Sequence, residues 1–107
     1  MPSLDPLIHQ PVRLRVMSAL ASLGREAQVE FTYLRDLLEL TDGNLGAHLR
    51  RLEEGGYVRL EKTFVERKPR TYVEATAQGR EAFVRHVAAL EEVIRGIEPP
   101  SGQGGES

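Results

Sequence analysis

The chain has 107 residues, of which 40% are apolar and 28% are charged, and its formal net charge is −2. This length supports one compact domain, and a nearly neutral charge requires that any polyanionic partner be argued from local charge. The absence of cysteine excludes disulfides, thiolate metal sites and cysteine nucleophiles. No apolar run approaches the roughly 20 residues that cross a bilayer, and the start MPSLDPLIHQP does not resemble a secretory signal. We therefore expect a cytoplasmic location.

Apolar residues at helical spacing predict a first helix from Pro11 to about Gly24, with the proline in the first turn and the glycine as a stop. The preceding residues 1–11 are interpreted as an N-terminal arm. Apolar and polar residues alternate weakly over residues 27–31 (AQVEF), and this pattern predicts a small strand. Thr32 is a good N-cap and predicts a short second helix after it.

The stretch LTDGNLGAHLRRLEEGGYV, residues 40–58, predicts a third helix that is capped by Thr41 and ended by Gly55 and Gly56. On a helical wheel of about 100° per residue, the leucines of this helix share one face. The opposite face and its flanks are small and basic, and they comprise Gly43, Asn44, Gly46, Ala47, Arg50, Arg51 and Glu54.

The two glycines on that face need a physical explanation, since each costs about 0.5 to 1 kcal/mol relative to alanine in a helix. Gly43 and Gly46 do not point toward the leucines, so core packing does not account for them. A helix with slim leading residues fits the major groove of duplex DNA, which is about 12 Å wide. The alternative is an ordinary solvated face with two tolerated glycines.

Residues 57–62 and 71–74 alternate apolar and charged side chains and predict two strands. Between them, Pro69 and several charges favour a long exposed loop over a packed turn. Basic residues dominate this loop, so its tip suits phosphates or a minor groove. The alternative is a charged tip that serves only solubility. The charged residues of the tip are Arg67, Lys68 and Arg70, set against Glu66.

Thr76 predicts the N-cap of a last helix that reaches about Ile97, and the Pro, Gly and Ser content of residues 98–107 predicts a disordered tail. Apolar residues in this helix recur with alternating spacings of 4 and 3, a pattern typical of a seam against another helix. We expect a second copy of the chain as the partner; the alternative is a helix that folds wholly onto its own domain. The expected dimer interface comprises Val12, Val16, Phe83, Val87, Leu90, Ile94 and Ile97.

The run from FTYLRDLLELTDGNLGAHLRRLEEGGYV through RKPRT to TAQGREAF resembles the small winged helix-turn-helix transcriptional regulators related to the MarR and ArsR groups, over about residues 12–95. The resemblance implies a mainly α fold with a small antiparallel β wing (α+β), in the order α-β-α-α-β-β-α. It implies a DNA-binding domain over residues 12–75, with a recognition helix over 42–54, and a dimerisation helix over 76–97. Such proteins bind duplex DNA selectively as homodimers and control transcription, and a two-fold dimer implies a palindromic site.

The resemblance also assigns contacts to individual residues of this sequence. Asn44 carries an amide that can read adenine, and Arg50 can pair with guanine or bind a phosphate. Thr32 and Tyr33, at the start of the preceding helix, are further phosphate candidates. Such wings often carry a glycine before Arg-Lys-Pro, where this chain has Glu66, whose charge would repel a phosphate. The implied DNA-binding residues are Thr32, Tyr33, Asp42, Gly43, Asn44, Ala47, Arg50, Arg51, Arg67, Lys68 and Arg70.

The sequence contains no Gly-rich phosphate loop and no His-Glu metal spacing, so we expect neither an enzyme nor a cofactor. His48 lies beside the leucine face and is interpreted as structural, while His9 and His86 are too isolated to predict a metal site. The competing hypothesis is a winged helix that contacts another protein, which the near-neutral charge favours and the basic wing opposes. The salt dependence of binding separates these two functions.

Overall fold

The computed structural model describes residues 4–24 and 27–97. Its elements are α1 (Pro11–Ala21), β1 (Val29–Glu30), α2 (Phe31–Leu38), α3 (Asp42–Glu54), β2 (Val58–Val65), β3 (Lys68–Ala75) and α4 (Ala77–Ile97). The strands form a 3-stranded antiparallel sheet in the order β1-β3-β2, and the winged-helix fold predicted from the sequence is confirmed. Within these described residues, no helix has the length and apolar character that a membrane crossing requires. The predicted tail and the side chain of Ile97 lie outside the described residues.

The hydrophobic core lies where α1, α2 and α3 meet the sheet. The leucine face of α3 is completely buried, since Leu45, Leu49 and Leu52 are each 0% exposed. Burial of one such side chain contributes about 1.5 to 3 kcal/mol, so this face fixes the orientation of the whole helix and turns its opposite side outward. Other members of the core are Val16, Met17, Leu20, Leu34 and Val73.

The ends of the first two helices differ from the predictions. α1 begins at Pro11 as expected, but it ends before Gly24 because Ser22 already forms its C-cap. The prediction that Thr32 caps the second helix is wrong, because the chain passes from β1 directly into α2 at Phe31. This immediate start also limits β1 to 2 residues.

The hairpin is longer and tighter than predicted. β2 and β3 each contain 8 residues and remain paired as far as Val65 and Lys68, so the expected long loop is wrong. The turn consists of Glu66 and Arg67, whose φ angles are 52° and 69°. Positive φ at both central positions matches the twist of the flanking strands and permits a two-residue connection.

Pro69, which favoured a loop in the sequence, lies inside β3 opposite Phe64. A strand that is paired with neighbours on both sides uses the backbone N–H of every residue, and proline has none. β1 pairs with Tyr72 and Val73 of β3, so in the part of the chain that the structure describes no third strand flanks Pro69. The proline is therefore compatible with the outer half of the wing.

Residues 4–10, expected to be an arm, pack onto the domain, and we call them the N-terminal strap. The backbone N–H of Asp5 donates a hydrogen bond to Nδ1 of His86 at 3.1 Å. The Tyr57 hydroxyl donates to the carboxylate of the same aspartate, and Ile8 is 0% exposed. The strap therefore connects α4 with the segment that follows α3.

The start of α4 is fixed to the same segment. Thr76 caps the helix as predicted, since its Oγ1 accepts a hydrogen bond from the N–H of Gly79 at 3.0 Å and donates one to the Gly56 carbonyl at 2.7 Å. A Cβ on Gly79 would lie 2.1 Å from the Tyr57 carbonyl oxygen. This close backbone approach explains the glycine in the TAQGREAF motif.

His86 is 1% exposed, and its Nδ1 accepts the strap's hydrogen bond, so the neutral ring carries its proton on Nε2. That nitrogen has no hydrogen-bond partner within the described residues. The His9 ring lies 5.3 Å away between centroids. Burial, and secondly the charge of His9, lower the pKa of His86. The described residues contain no group of three or more potential metal ligands.

Candidate nucleic-acid interface

The outward side of α3 is open to solvent along its length. The predicted cap is confirmed, since Oγ1 of Thr41 accepts a hydrogen bond from the backbone N–H of Asn44 at 3.1 Å. Gly46 is half-buried, and the other residues predicted for this side are exposed. These exposed residues are Asp42, Gly43, Asn44, Ala47, Arg50, Arg51 and Glu54.

The chain's own structure requires neither glycine on this side. A Cβ on Gly43 would meet no atom within 4 Å, and one on Gly46 would make an ordinary contact of 3.6 Å with Nη1 of Arg50. Neither glycine has a positive φ. Nothing in residues 4–24 and 27–97 therefore requires the slim surface, and close approach by another molecule supplies a physical reason for it.

A cleft separates α3 from the hairpin. Arg50 faces this cleft from α3, and Lys62 faces it from β2. Two cations from different elements thus border one opening, together with two carboxylates, Glu53 and Asp42. Lys62 was not predicted from the sequence, because only the strand register places it opposite the helix. The remaining wall residues include Gly46, Leu60 and Thr71.

Arg35 is a second residue that the sequence analysis missed. Its Nη1 donates to the carboxylate of Asp42 at 2.8 Å, and its Nε donates to Asp36 at 2.9 Å. These hydrogen bonds raise the pKa of Arg35, so the guanidinium stays charged. The arginine offsets the negative charge of Asp42 at the start of α3, where a free carboxylate would repel a phosphate.

Arg51 lies on a different side of α3 from Arg50, near Arg13 of α1. Nη1 of Arg13 lies 3.2 Å from Nδ1 of His48. Burial, and then the charges of Arg13 and Arg51, lower the pKa of His48. The neutral ring accepts a hydrogen bond from Arg13, which agrees with the structural role predicted for this histidine. The two arginines of α3 therefore lie on different flanks of the helix.

At the wing, Arg67 and Lys68 are exposed at the hairpin tip. Arg70 forms an ion pair with Glu30, next to the β1–β3 pairing. Side chains alternate along a strand, so Arg70 lies on the sheet face opposite to Thr71, which borders the cleft. Lys68 lies on the same face as Arg70, but it is at the exposed tip, whereas Arg70 is bound by Glu30 nearer the domain.

The two residues predicted on α2 are both exposed, but they have different surroundings. Thr32 follows Phe31, which borders the cleft. Tyr33 borders a separate apolar groove together with Leu37 and Leu23. The tyrosine ring is therefore not part of the cleft between α3 and the hairpin.

α4 packs on its own domain through small residues rather than through the predicted seam. Gly79, Ala82 and Ala89 are buried on one side of the helix together with His86. The seam lies about a quarter-turn away, and its residues range from half-buried to exposed. Val16 is 0% exposed within the chain's own core, so the prediction of Val16 in a dimer interface is wrong. The described seam residues are Phe83, Val87, Leu90 and Ile94, with Val12 half-buried on α1.

Comparison with known proteins identifies the family. Residues 12–94 match the winged helix DNA-binding domain family. An uncharacterised protein of Methanocaldococcus jannaschii is 34% identical over 92 residues, which cover 86% of this chain and 97% of that protein. The structure of a transcriptional regulator homologue from Pyrococcus horikoshii OT3 is 37% identical with a TM-score of 0.78, covering 86% of this chain and 88% of that one. A PadR family transcriptional regulator from Eggerthella lenta is 26% identical with a TM-score of 0.64, covering 81% of this chain and 84% of that one.

These matches confirm the predicted resemblance at the level of winged-helix transcriptional regulators, while the finer MarR and ArsR grouping stays a prediction. Winged-helix regulators are not enzymes, as the sequence analysis expected. The family match spans most of the chain, and the fold exposes α3 beside a hairpin wing. The chain therefore belongs to the winged helix DNA-binding domain family and is a DNA-binding regulator.

Proposed function

We propose that the protein is a homodimeric transcriptional regulator that binds duplex DNA with sequence selectivity. In this proposal α3 enters the major groove, and the wing contacts the adjacent backbone or minor groove. The observation that supports it most is the cleft in which Arg50 and Lys62 face one opening, beside a slim helix surface that has no internal cause. A palindromic site is expected, because a two-fold dimer presents two recognition helices about 34 Å apart.

The proposal gives different roles to the exposed residues. Asn44 and Arg50 read base edges, since an amide suits adenine and a bidentate arginine suits guanine, each worth about 1 to 3 kcal/mol of discrimination. Gly43 and Ala47 allow the helix to approach the bases. Arg51, on the other flank, binds a phosphate.

The salt dependence of binding tests the DNA contacts. Duplexes selected by the full chain from a random pool serve as the probe, and affinity is measured over a range of salt concentrations. Replacing Arg67 and Lys68 together with alanine is expected to lower the salt slope by up to about 2, because each phosphate contact releases condensed counterions. Arg95→Ala, an exposed arginine on α4, is the matched control and should leave the slope unchanged. An unaltered slope in the double variant would remove the wing from the DNA contacts.

The homodimer is supported by the apolar side of α4 that the chain leaves uncovered, where Ile94 is 54% exposed. Ile94→Asp is expected to give monomers in sedimentation without loss of the fold, since this side chain is outside the core. Glu92→Ala, on the opposite side of the helix, is the control and should remain dimeric. A dimer that survives Ile94→Asp would assign the interface to another surface.

The near-neutral net charge of −2 favours one competing function, an assembly module whose exposed helix contacts another protein. The selection experiment separates the two, because a protein-contact module recovers no preferred duplex and shows little dependence on salt.

A further inference from the structure

Phe64 has an environment that neither the core nor the cleft explains. It is 73% exposed, more than any other large apolar side chain in the described residues. Its cross-strand partner is Pro69, which is also exposed. Full burial of a phenylalanine stabilises a fold, and the chain forgoes this contribution. The high strand propensity of aromatic residues explains their presence in a strand, but not which face they occupy.

The face that Phe64 occupies is the one that looks toward α3. Because side chains alternate along a strand, Phe64 shares its face with Val58, Leu60 and Lys62. Val58 is buried in the core, and the next two residues of this row border the cleft opposite Arg50. Phe64 therefore continues, toward the wing tip, the same row of side chains that faces the recognition helix.

The cations near Phe64 differ from the two arginines on the opposite face. On the face away from α3, Arg59 pairs with Glu74 at 3.2 Å, and Arg70 pairs with Glu30. The cations around Phe64 make no ion pair within residues 4–24 and 27–97. An exposed aromatic ring between unneutralised cations fits a polyanion that also offers apolar surface, as a DNA groove does. These cations are Lys62, on the same face as Phe64, and Arg67, in the turn. Lys68 is also exposed, but it pairs with Val65 and therefore lies on the face away from α3.

The spacing along β2 places Phe64 well beyond the residues that line the cleft. Leu60 and Phe64 are four residues apart, which at about 3.3 Å per residue is about 13 Å. Leu60 and Lys62 border the cleft beside α3, so Phe64 lies outside the cleft, nearer the wing tip.

We propose that Phe64 enters the minor groove beside the recognition helix and inserts at a base step, so that binding selects flexible steps at that position. The proposal rests on the DNA-binding function proposed above and deepens it. Apolar side chains that enter the minor groove partly unstack a base step and kink the duplex. Pyrimidine–purine steps such as TA deform most readily. Phe64 thus makes affinity depend on how easily the base step deforms, while the surrounding cations hold the phosphates.

The test uses the full chain and a duplex that it selects from a random pool. The steps flanking the contacted half-site are changed one at a time to TA, AA or GG. Phe64→Thr is compared with Val65→Thr, since Val65 is adjacent and exposed but lies on the opposite face, and threonine keeps a high strand propensity at both positions. 2-Aminopurine placed at the flanking step reports unstacking by its fluorescence.

Wild type and Val65→Thr are expected to prefer the TA flank several-fold and to raise the 2-aminopurine fluorescence. Phe64→Thr is expected to bind all flanks almost equally, with no fluorescence increase, and Phe64→Leu should retain part of the preference. Equal flank preference in Phe64→Thr and wild type, with salt-dependent selective binding intact, would overturn the role of Phe64 and leave the proposed function standing. If wild type selects no duplex at all, both proposals fail.

Discussion

The end of the molecule that we propose faces DNA and the end that holds the N-terminal strap use their residues in opposite ways. At the strap end, Asp5 and Tyr57 bind each other, and Gly79 is required by a close backbone approach. At the DNA-facing end, Gly43 leaves open space and Phe64 leaves its ring in water. Residues with internal partners therefore mark the scaffold. Residues that cost stability and lack an internal purpose mark the surface that another molecule is expected to cover.

The largest effect is expected from a strap residue. Ile8→Ala removes a side chain that is 0% exposed, and we expect it to lower the free energy of unfolding by about 2 to 5 kcal/mol. Urea titration measures this change, and the affinity of the folded fraction for DNA should not alter. Pro6→Ala, at an exposed strap position, is the control. A loss within about 0.5 kcal/mol, as for ordinary surface changes, would show that the strap does not stabilise the fold.

At the opposite end, Arg50→Ala should affect binding and not stability. We expect specific binding in a gel-shift titration to weaken by about 1 to 3 kcal/mol, because an arginine that faces the cleft loses its DNA contact. The free energy of unfolding should stay within about 0.5 kcal/mol of wild type. Unchanged affinity would remove Arg50 from the site and weaken the contrast between the two ends.

Lowering the pH should lower the free energy of unfolding through His86, at the strap end. Burial lowers the pKa of His86 in the folded chain, so the unfolded chain binds the proton more readily. The stabilisation is complete above the unfolded pKa of about 6.5 and is lost as the pH falls below that value toward the folded pKa. One proton contributes at most about 1.4 kcal/mol per pH unit.

Urea titrations at several pH values measure this dependence. His86→Gln should flatten the stability profile, with the remainder due to His48, whose pKa is lowered in the same direction. If the variant and wild type lose stability equally on acidification, His86 is not the titrating group.

We expect the smallest effect from Gly43→Ala, which should raise stability and weaken DNA binding. Gly43→Ala should raise the free energy of unfolding by about 0.4 to 1 kcal/mol, because the added Cβ meets no atom within 4 Å. It should also weaken DNA binding, because the methyl group holds the helix away from the base edges. Gly96→Ala adds a Cβ in equally open space on α4 and should change stability alone. Undiminished binding by Gly43→Ala would mean that the slim surface is only tolerated.

The fold was predictable because its signals are local. Apolar periodicity located the helices, and Thr41 and Thr76 cap α3 and α4 as predicted. The hairpin was mispredicted because strand length depends on pairing between strands. Glu66 and Arg67 adopt positive φ without the Asn-Gly sequence that favours such a turn.

The candidate site was predictable in part for the same reason. One helix carries Asn44 and Arg50, so a helical wheel places them correctly. Arg70 and Lys62 depend on strand register, in which a difference of one residue changes the face. Similarly, the pattern of large apolar residues in α4 pointed to the seam, while the face that packs on the domain consists of small residues such as Ala82 and Ala89.

The N-terminal strap has a consequence for the distance between half-sites. It joins Tyr57, just after α3, to His86 in α4. The strap therefore holds α3, the helix proposed to read DNA, at a set angle to α4, the helix proposed to pair with a second copy. In a two-fold assembly that angle sets how far apart two DNA-reading helices stand. We therefore expect deletion of residues 4–10 to broaden the range of half-site separations that the protein accepts.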